Sequence, residues 1–321
     1  MLFSNTLRRA RWRLSKSLAA AALAAAGLSP SLAAQPANAC ACGCGVFDVG
    51  TANLLPEGAG DTIYAQSSYM DQVQNFSGDS KAPAADNDDK RIRSDFLQLG
   101  WQHMFNRDWG VMVDVPVTDR LYVADTGSRV QTFRHTAFGD VKITGVYSGF
   151  SQDMSTGLIF GVKLPTGDWK FSGFDRDVSI GSGSTDLIVG GYHQGKLGKT
   201  AQTGWFVQAV YQAPVAIQGG YRPGGEADAA AGVYWEGWTF DNGLRLSPVA
   251  QVIASSRAHD HGPEADPDNS GYQRVMVSPG LELNAKRWRL YGDVELPVYQ
   301  RVSGNQLVAP ALMKLTLSRS F

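Results

Sequence analysis

Residues 310–321 read Pro-Ala-Leu-Met-Lys-Leu-Thr-Leu-Ser-Arg-Ser-Phe, and the order of these side chains decides the fold. Successive side chains of an extended strand point to opposite faces, so Ala311, Met313, Leu315, Leu317 and Phe321 share one side. Leu312, Lys314, Thr316, Ser318 and Ser320 share the other. Such a strand separates an apolar medium from a wet one. Arg319 breaks the apolar side only near its end, where a long stem lets the charge reach an interface.

Residues 288–301 repeat the pattern, with Trp288, Leu290, Val294, Leu296 and Val298 on the apolar face and Arg289, Tyr291, Asp293, Glu295, Tyr299 and Arg301 on the polar one. Working back toward the N-terminus, comparable alternation marks 62–71, 94–105, 109–122, 137–149, 154–164, 184–196, 203–214, 226–236, 242–255 and 271–285. That makes twelve strands. Their connections are alternately long (72–93, 123–136, 165–183, 215–225, 256–270, 302–309) and short. A sheet in hydrocarbon has no water for its edge N–H and C=O groups, so it must close on itself, and strands of ~9–11 residues suffice to cross. An even strand count with short turns at one end and long loops at the other predicts an all-β, transmembrane antiparallel β-barrel of twelve strands.

Parity assigns the lumen. Asp140, Lys142, Lys163, Asp186, Arg245, Arg274, Glu282, Arg289, Asp293 and Glu295 are the predicted lumen-lining residues, together with Gln98, Gln102, Asp114, Arg120 and Gln251. Two readings stand side by side: internal salt bridges that hold the barrel, and a path lined for a polar or amphipathic solute. Trp101, Trp109, Trp205, Trp235, Trp238 and Trp288 all lie near short turns, as an interfacial aromatic girdle requires. The first strand, around Tyr64 to Tyr69, does not declare its faces.

The N-terminus gives an address. Arg8, Arg9, Arg11, Arg13 and Lys16 precede an apolar run from Leu18 to Leu28 and then Ala37-Asn38-Ala39, the layout of a signal peptide over 1–39. Its loss removes five basic and no acidic residues, leaving 24 basic against 30 acidic and a formal charge of −6. That balance argues against a nucleic-acid partner. Residues 40–61 then form a Cys-containing periplasmic segment or a plug, and 62–321 the barrel. The expected location is the bacterial outer membrane with both termini periplasmic, and the expected partners are outer-membrane lipid, the barrel assembly machinery and a small-molecule solute.

All three cysteines lie in Cys40-Ala41-Cys42-Gly43-Cys44. An extended C-x-C-x-C aligns three soft sulfurs, a donor set suited to Cu(I) or Zn(II). An oxidised or partner-linked state and a lipidated Cys40 are the competing readings. His259 and His261 flank Asp260 in a loop that also holds Glu264, Asp266 and Asp268, a set read either as a divalent-ion site or as an ordinary solvated loop. His103 and His193 face outward by parity, but neither sits beside a Ser-Asn pairing of the kind barrel phospholipases use, and no G-x-S-x-G occurs. No enzyme is expected.

The centre of the chain carries Phe138-Gly139-Asp140-Val141, then Val162-Lys163-Leu164-Pro165-Thr166-Gly167, then Gly181-Ser182-Gly183-Ser184-Thr185-Asp186. This succession resembles the bacterial outer-membrane family named for the meta-pathway of phenol degradation, over residues 138–191. The resemblance implies an outer-membrane transporter, often of hydrophobic or aromatic compounds. The closing Phe321 resembles the terminal signature that outer-membrane barrels offer to their assembly machinery. The expected function is a porin-like channel for a small solute. The alternative is a copper- or zinc-binding outer-membrane protein that uses Cys40, Cys42 and Cys44, with the barrel as anchor.

Overall fold

Alternating strands pair edge to edge around the molecule until the last meets the first. The computed structural model describes residues 49–51, 54–56, 58–198 and 202–321; the signal-peptide segment and Cys40, Cys42 and Cys44 lie outside the described residues. The strands are β1 Gly60–Gln72, β2 Asp89–Met104, β3 Trp109–Asp125, β4 in two pieces (Val130–Phe138 and Lys142–Tyr147), β5 Thr156–Lys163, β6 Ser184–Leu197, β7 Thr203–Ile217, β8 Glu226–Trp235, β9 Leu244–Arg257, β10 Tyr272–Ala285, β11 Trp288–Val308 and β12 Leu312–Ser320. Each pairs antiparallel with its sequence neighbours, and β12 pairs with β1 from Thr62↔Ser320 to Met70↔Leu312. The barrel is closed, twelve-stranded and antiparallel. The Phe321 N–H donates to the Asp61 carbonyl at 2.9 Å, so the barrel begins and ends at one rim.

The interior is polar and the exterior apolar, the inverse of a water-soluble protein. Lys314 and Thr316 are 2% and 0% exposed, while Met313 and Leu315, which alternate with them, are 50% and 51% exposed. The same inversion surrounds the wall: Leu97, Leu158, Val189, Val252 and Leu281 are exposed, whereas Ser94, Lys163, Asp186, Gln251 and Ser278 are buried. Facing the lumen, β1 presents Tyr64, Gln66, Ser68, Met70 and Gln72. At the terminal rim, Trp109 packs on Tyr147, Trp205 on His193 and Trp235 on Trp238. Arg319 settles over the Trp288 and Phe321 rings at 5.1 and 4.7 Å.

The far rim departs from the expected loops. The connection expected over 123–136 is a tight turn, because β3 and β4 continue past it through the pairs Val123↔Thr132 and Asp125↔Val130. Residues 72–93, whose stretch 78–90 reads as a mobile loop, instead carry a small hairpin, Gln74–Gly78 with Ser80–Lys81, that pairs with the outer part of β11. Most of the expected 302–309 loop is therefore strand. A register shift in β11 opposite Val275 and Met276 inserts an extra residue. Parity inverts beyond it, so Tyr299 and Arg301, expected inside, are exposed on the outer wall while Val302 is buried.

Of the 40–61 segment, Val49, Gly50, Leu54 and Leu55 lie inside the barrel. Val49 and Leu55 are buried in one cluster with the lumenal Val146, Ile159, Phe206 and Leu312. The Val49 carbonyl accepts from Lys314 at 3.0 Å and the Leu54 carbonyl from Gln102 at 3.1 Å. Gly50 has φ +76°, and a Cβ there would meet the Gln251 amide oxygen at 2.7 Å, so only glycine seats this turn comfortably.

Candidate functional site

The three central motifs, separate in sequence, converge in space. Asp140 sits in the break between the two pieces of β4, where Gly139 and its neighbours leave the ladder. Its carboxylate accepts from the Gly167 N–H at 3.0 Å, the Ser182 N–H at 2.8 Å and the Ser182 hydroxyl at 2.5 Å. Lys163 ends β5 and reaches Asp186 at 2.7 Å and Asp140 at 3.6 Å, while also donating to the Ser182 hydroxyl. Asp186 further accepts from Ser184 and Gln212. All three charged groups are more than nine-tenths buried, so each depends on the others to offset its desolvation. Thr166 accepts from the Val141 N–H at 2.9 Å, and Gly167 and Gly181 lie backbone to backbone: a Cβ at Gly181 would fall 2.4 Å from the Gly167 carbonyl carbon.

This network closes the base of residues 164–183, which fold over and into the far mouth. Arg120 donates to the Val178 and Ser179 carbonyls at 2.6 and 3.2 Å, and Val178 is fully buried among Ile92, Tyr122, Phe174 and Leu307. His135 stacks on Phe171 with centroids 4.1 Å apart and its Nε2 meets Asp168 at 2.8 Å. The Lys170 N–H and then the His135 ring hold the Asp168 carboxyl below the usual carboxylate range. Arg176 lies between the Trp169 and Tyr221 rings, at 4.6 and 4.8 Å, and pairs with Glu264 at 3.4 Å. The segment is thus held by packing and by charge on several sides.

Beneath it the lumen opens into two adjoining cavities. The outer one, about 180 Å³, is walled by Arg120, Lys142, Lys163, Arg176 and Arg257 and by Asp140, Asp177, Asp186, Glu226 and Asp228, five charges of each sign. The inner one, about 90 Å³, has Asp114 and Lys142 as its only acid and base among the described residues, register partners on β3 and β4. Five glutamines, Gln66, Gln98, Gln102, Gln208 and Gln212, line it among apolar residues, and Leu54, Leu55 and Pro56 form its floor. Tyr64 and Gln98 both donate to Asp114. The two cavities share Gln66, Gln98, Lys142, Val210 and Gln212, which stand at the boundary between them.

The remaining predicted lumen residues, Arg274 apart, lie closer to the terminal rim or in the wall beneath residues 49–51; Arg274 stands near the far rim, at the start of β10. Lys314 reaches Glu295 at 3.3 Å and Asp293 at 3.8 Å, all three fully buried as side chains, and Asp293 also accepts from Gln251, Ser278 and Tyr291. Arg274 covers the Tyr272 ring at 4.6 Å. Arg245, Glu282 and Arg289 surround a third cavity of about 200 Å³ next to Gly50, where Arg245 pairs with Glu236 at 3.7 Å. Three clusters therefore replace a single lining. Six residues of these sites were not among the predicted ones: Tyr64 and Gln66 lie on the strand whose faces the sequence does not declare, Gln208 and Gln212 alternate like their neighbours on β7, and Arg176 and Ser182 sit in a loop without period.

Outside the lumen, the histidines have local partners. His259 Nδ1 lies 2.5 Å from the Pro267 carbonyl, and Asp260 turns inward to Arg257, Tyr221 and the Gly224 N–H, so H-x-H and its carboxylates do not converge. His103 meets Asp61 at 2.8 Å and stacks on Trp101; His193 meets Thr156 at 2.7 Å. Among the described residues no group of three His, Cys, Asp or Glu side chains is placed to hold a metal.

No protein-family model and no curated protein matches the sequence. Among solved structures, the chain is similar to an outer-membrane channel from Pseudomonas putida F1, at 11% identity and TM-score 0.64, over 85% of this chain and 100% of that one. It also aligns with the β domain of the Bordetella autotransporter BrkA (11% identity, TM-score 0.47, 82% and 100% covered) and with the CymD monoaromatic hydrocarbon channel (8%, 0.43, 87% and 93%). The last two superpose too loosely to bear on this chain. The first establishes the shared barrel architecture.

Proposed function

We propose that the protein is an outer-membrane channel for a small solute, lying with its termini and short turns toward the periplasm and its 164–183 segment outward. The observation that carries this reading is the pair of adjoining polar cavities inside a wall whose outer face is apolar, an arrangement with a use only where a membrane surrounds the barrel. A barrel of the same architecture that is an outer-membrane channel in Pseudomonas putida supports it. So does the resemblance of residues 138–191 to the meta-pathway family, which favours an aromatic or hydrophobic solute. Residues 49–51 and 54–56 act as a plug on the periplasmic side and residues 164–183 as a constriction on the other.

Purified protein reconstituted into planar lipid bilayers, and into liposomes loaded for solute-uptake assays, tests the reading. Small, discrete conductance steps and protein-dependent uptake of small aromatic solutes are expected. A bilayer that stays silent, together with liposomes no more permeable than empty ones, overturns it.

A further inference from the structure

The channel reading leaves open what the inner cavity selects, and on that reading we infer that the cavity is a binding chamber for one small uncharged solute with an apolar body and hydrogen-bonding groups at its edge. Charge balance is the first support. A desolvated ion needs an uncompensated counter-charge, yet the only acid and base that line the chamber among the described residues, Asp114 and Lys142, are opposed across adjacent strands. Neither an anion nor a cation gains a net counter-charge there. The outer cavity above it, with its five charges of each sign, imposes the same condition on approach.

The amides supply the second support. Glutamine carries two N–H donors and an oxygen acceptor, so a single bond to the wall does not exhaust it. Gln98 spends one such bond on Asp114 and Gln212 one on Asp186, which fixes both amides at the cavity edge. Neutral dipoles of both polarities then face one small space. The third support is the shape of the apolar part: Tyr192 commits its hydroxyl to the Met154 carbonyl at 3.1 Å and Tyr64 commits its own to Asp114, so both offer ring rather than hydroxyl to an occupant. Leu55 of the plug closes the floor.

Equilibrium dialysis of the folded, detergent-solubilised protein against benzamide, benzoate and benzylammonium tests this inference, since the three share a ring and differ in charge. Saturable retention of benzamide is expected, with both ions held roughly tenfold more weakly. Gln208→Leu is expected to weaken benzamide retention about 3- to 10-fold, as loss of a neutral hydrogen bond does. Gln208→Glu is expected to reverse the order in favour of benzylammonium. Folding of each variant is checked by its heat-dependent shift in electrophoretic mobility. Benzoate or benzylammonium retained by the wild type as tightly as benzamide overturns the inference, and so does benzamide retention indifferent to both substitutions. Failure of the underlying reading looks different: benzamide bound but never admitted to proteoliposomes removes the channel and leaves the chamber, whereas ion conductance without benzamide retention removes the chamber and leaves the channel.

Discussion

At the scale of single residues, the strongest constraints come from groups that have no room or no alternative partner. Gly181 faces the Gly167 backbone, which cannot swing aside as a side chain can. Gly181→Ala is expected to cost about 1–3 kcal/mol by overpacking and to release residues 164–183 to protease, read as new cleavage within that segment of the folded protein. Lys163 is the shared cation of Asp140 and Asp186, so Lys163→Met strands two buried carboxylates. The expected cost is about 3–5 kcal/mol, measured by urea unfolding in lipid vesicles, with part regained in Lys163→Met/Asp186→Leu. Equal stability of wild type and the single variant would contradict the network. Alternation placed Lys163 and Asp186 on the inner face, but their partnership through Asp140 was visible only as a recurrent motif, because residues 140, 163 and 186 are joined by register and loop folding rather than by spacing.

At the scale of elements, β-alternation is readable wherever a strand lies between an apolar medium and a polar lumen and fades where it does not. β12 and the first part of β11 were read correctly for that reason, while the extension of β3 and β4 past Tyr122 buries Ala124 and leaves Thr132 and Arg134 exposed, the reverse of the wall, and passed for loop. The β11 bulge is invisible to parity by nature: one inserted residue exchanges the faces without changing composition. The 164–183 segment carries its own test. Hydrogen bonding from the Lys170 amide and from His135 keeps Asp168 ionised below its ordinary range, so the contribution of this carboxylate is fully present above the unfolded value of ~3.9 and is lost as pH falls through the depressed folded value. Wild type is therefore expected to show a higher thermal midpoint than Asp168→Asn at neutral pH, and the two curves are expected to converge in strong acid. A difference that persists undiminished in acid assigns the effect to packing beside Phe171 instead.

At the scale of the whole molecule, pieces of the chain enter the barrel from both ends and are held through backbone carbonyls. Arg120 grips Val178 and Ser179 from the wall; Lys314 and Gln102 grip Val49 and Leu54. The rhythm of twelve strands announced the wall, yet nothing in the irregular, glycine-bearing run from 45 to 61 announced that Val49, Leu54 and Leu55 lie inside it, since a segment without period has no face to read. Carbonyl-directed contacts hold such a segment whatever its side chains, so the grip resides in the wall and is the part to alter. Lys314 is also the cation of Asp293 and Glu295, and removing it outright would confound gating with stability. Replacing residues 49–56 by a Gly-Ser run of equal length keeps that wall intact while deleting Val49 and Leu55 from the lumenal cluster. The expected result is a barrel that still shows the heat-dependent mobility shift of a folded protein but conducts in larger and longer steps in planar bilayers. Unchanged conductance in that replacement would mean that the constriction lies wholly at residues 164–183, and the same recording on Gly181→Ala would then carry the increase.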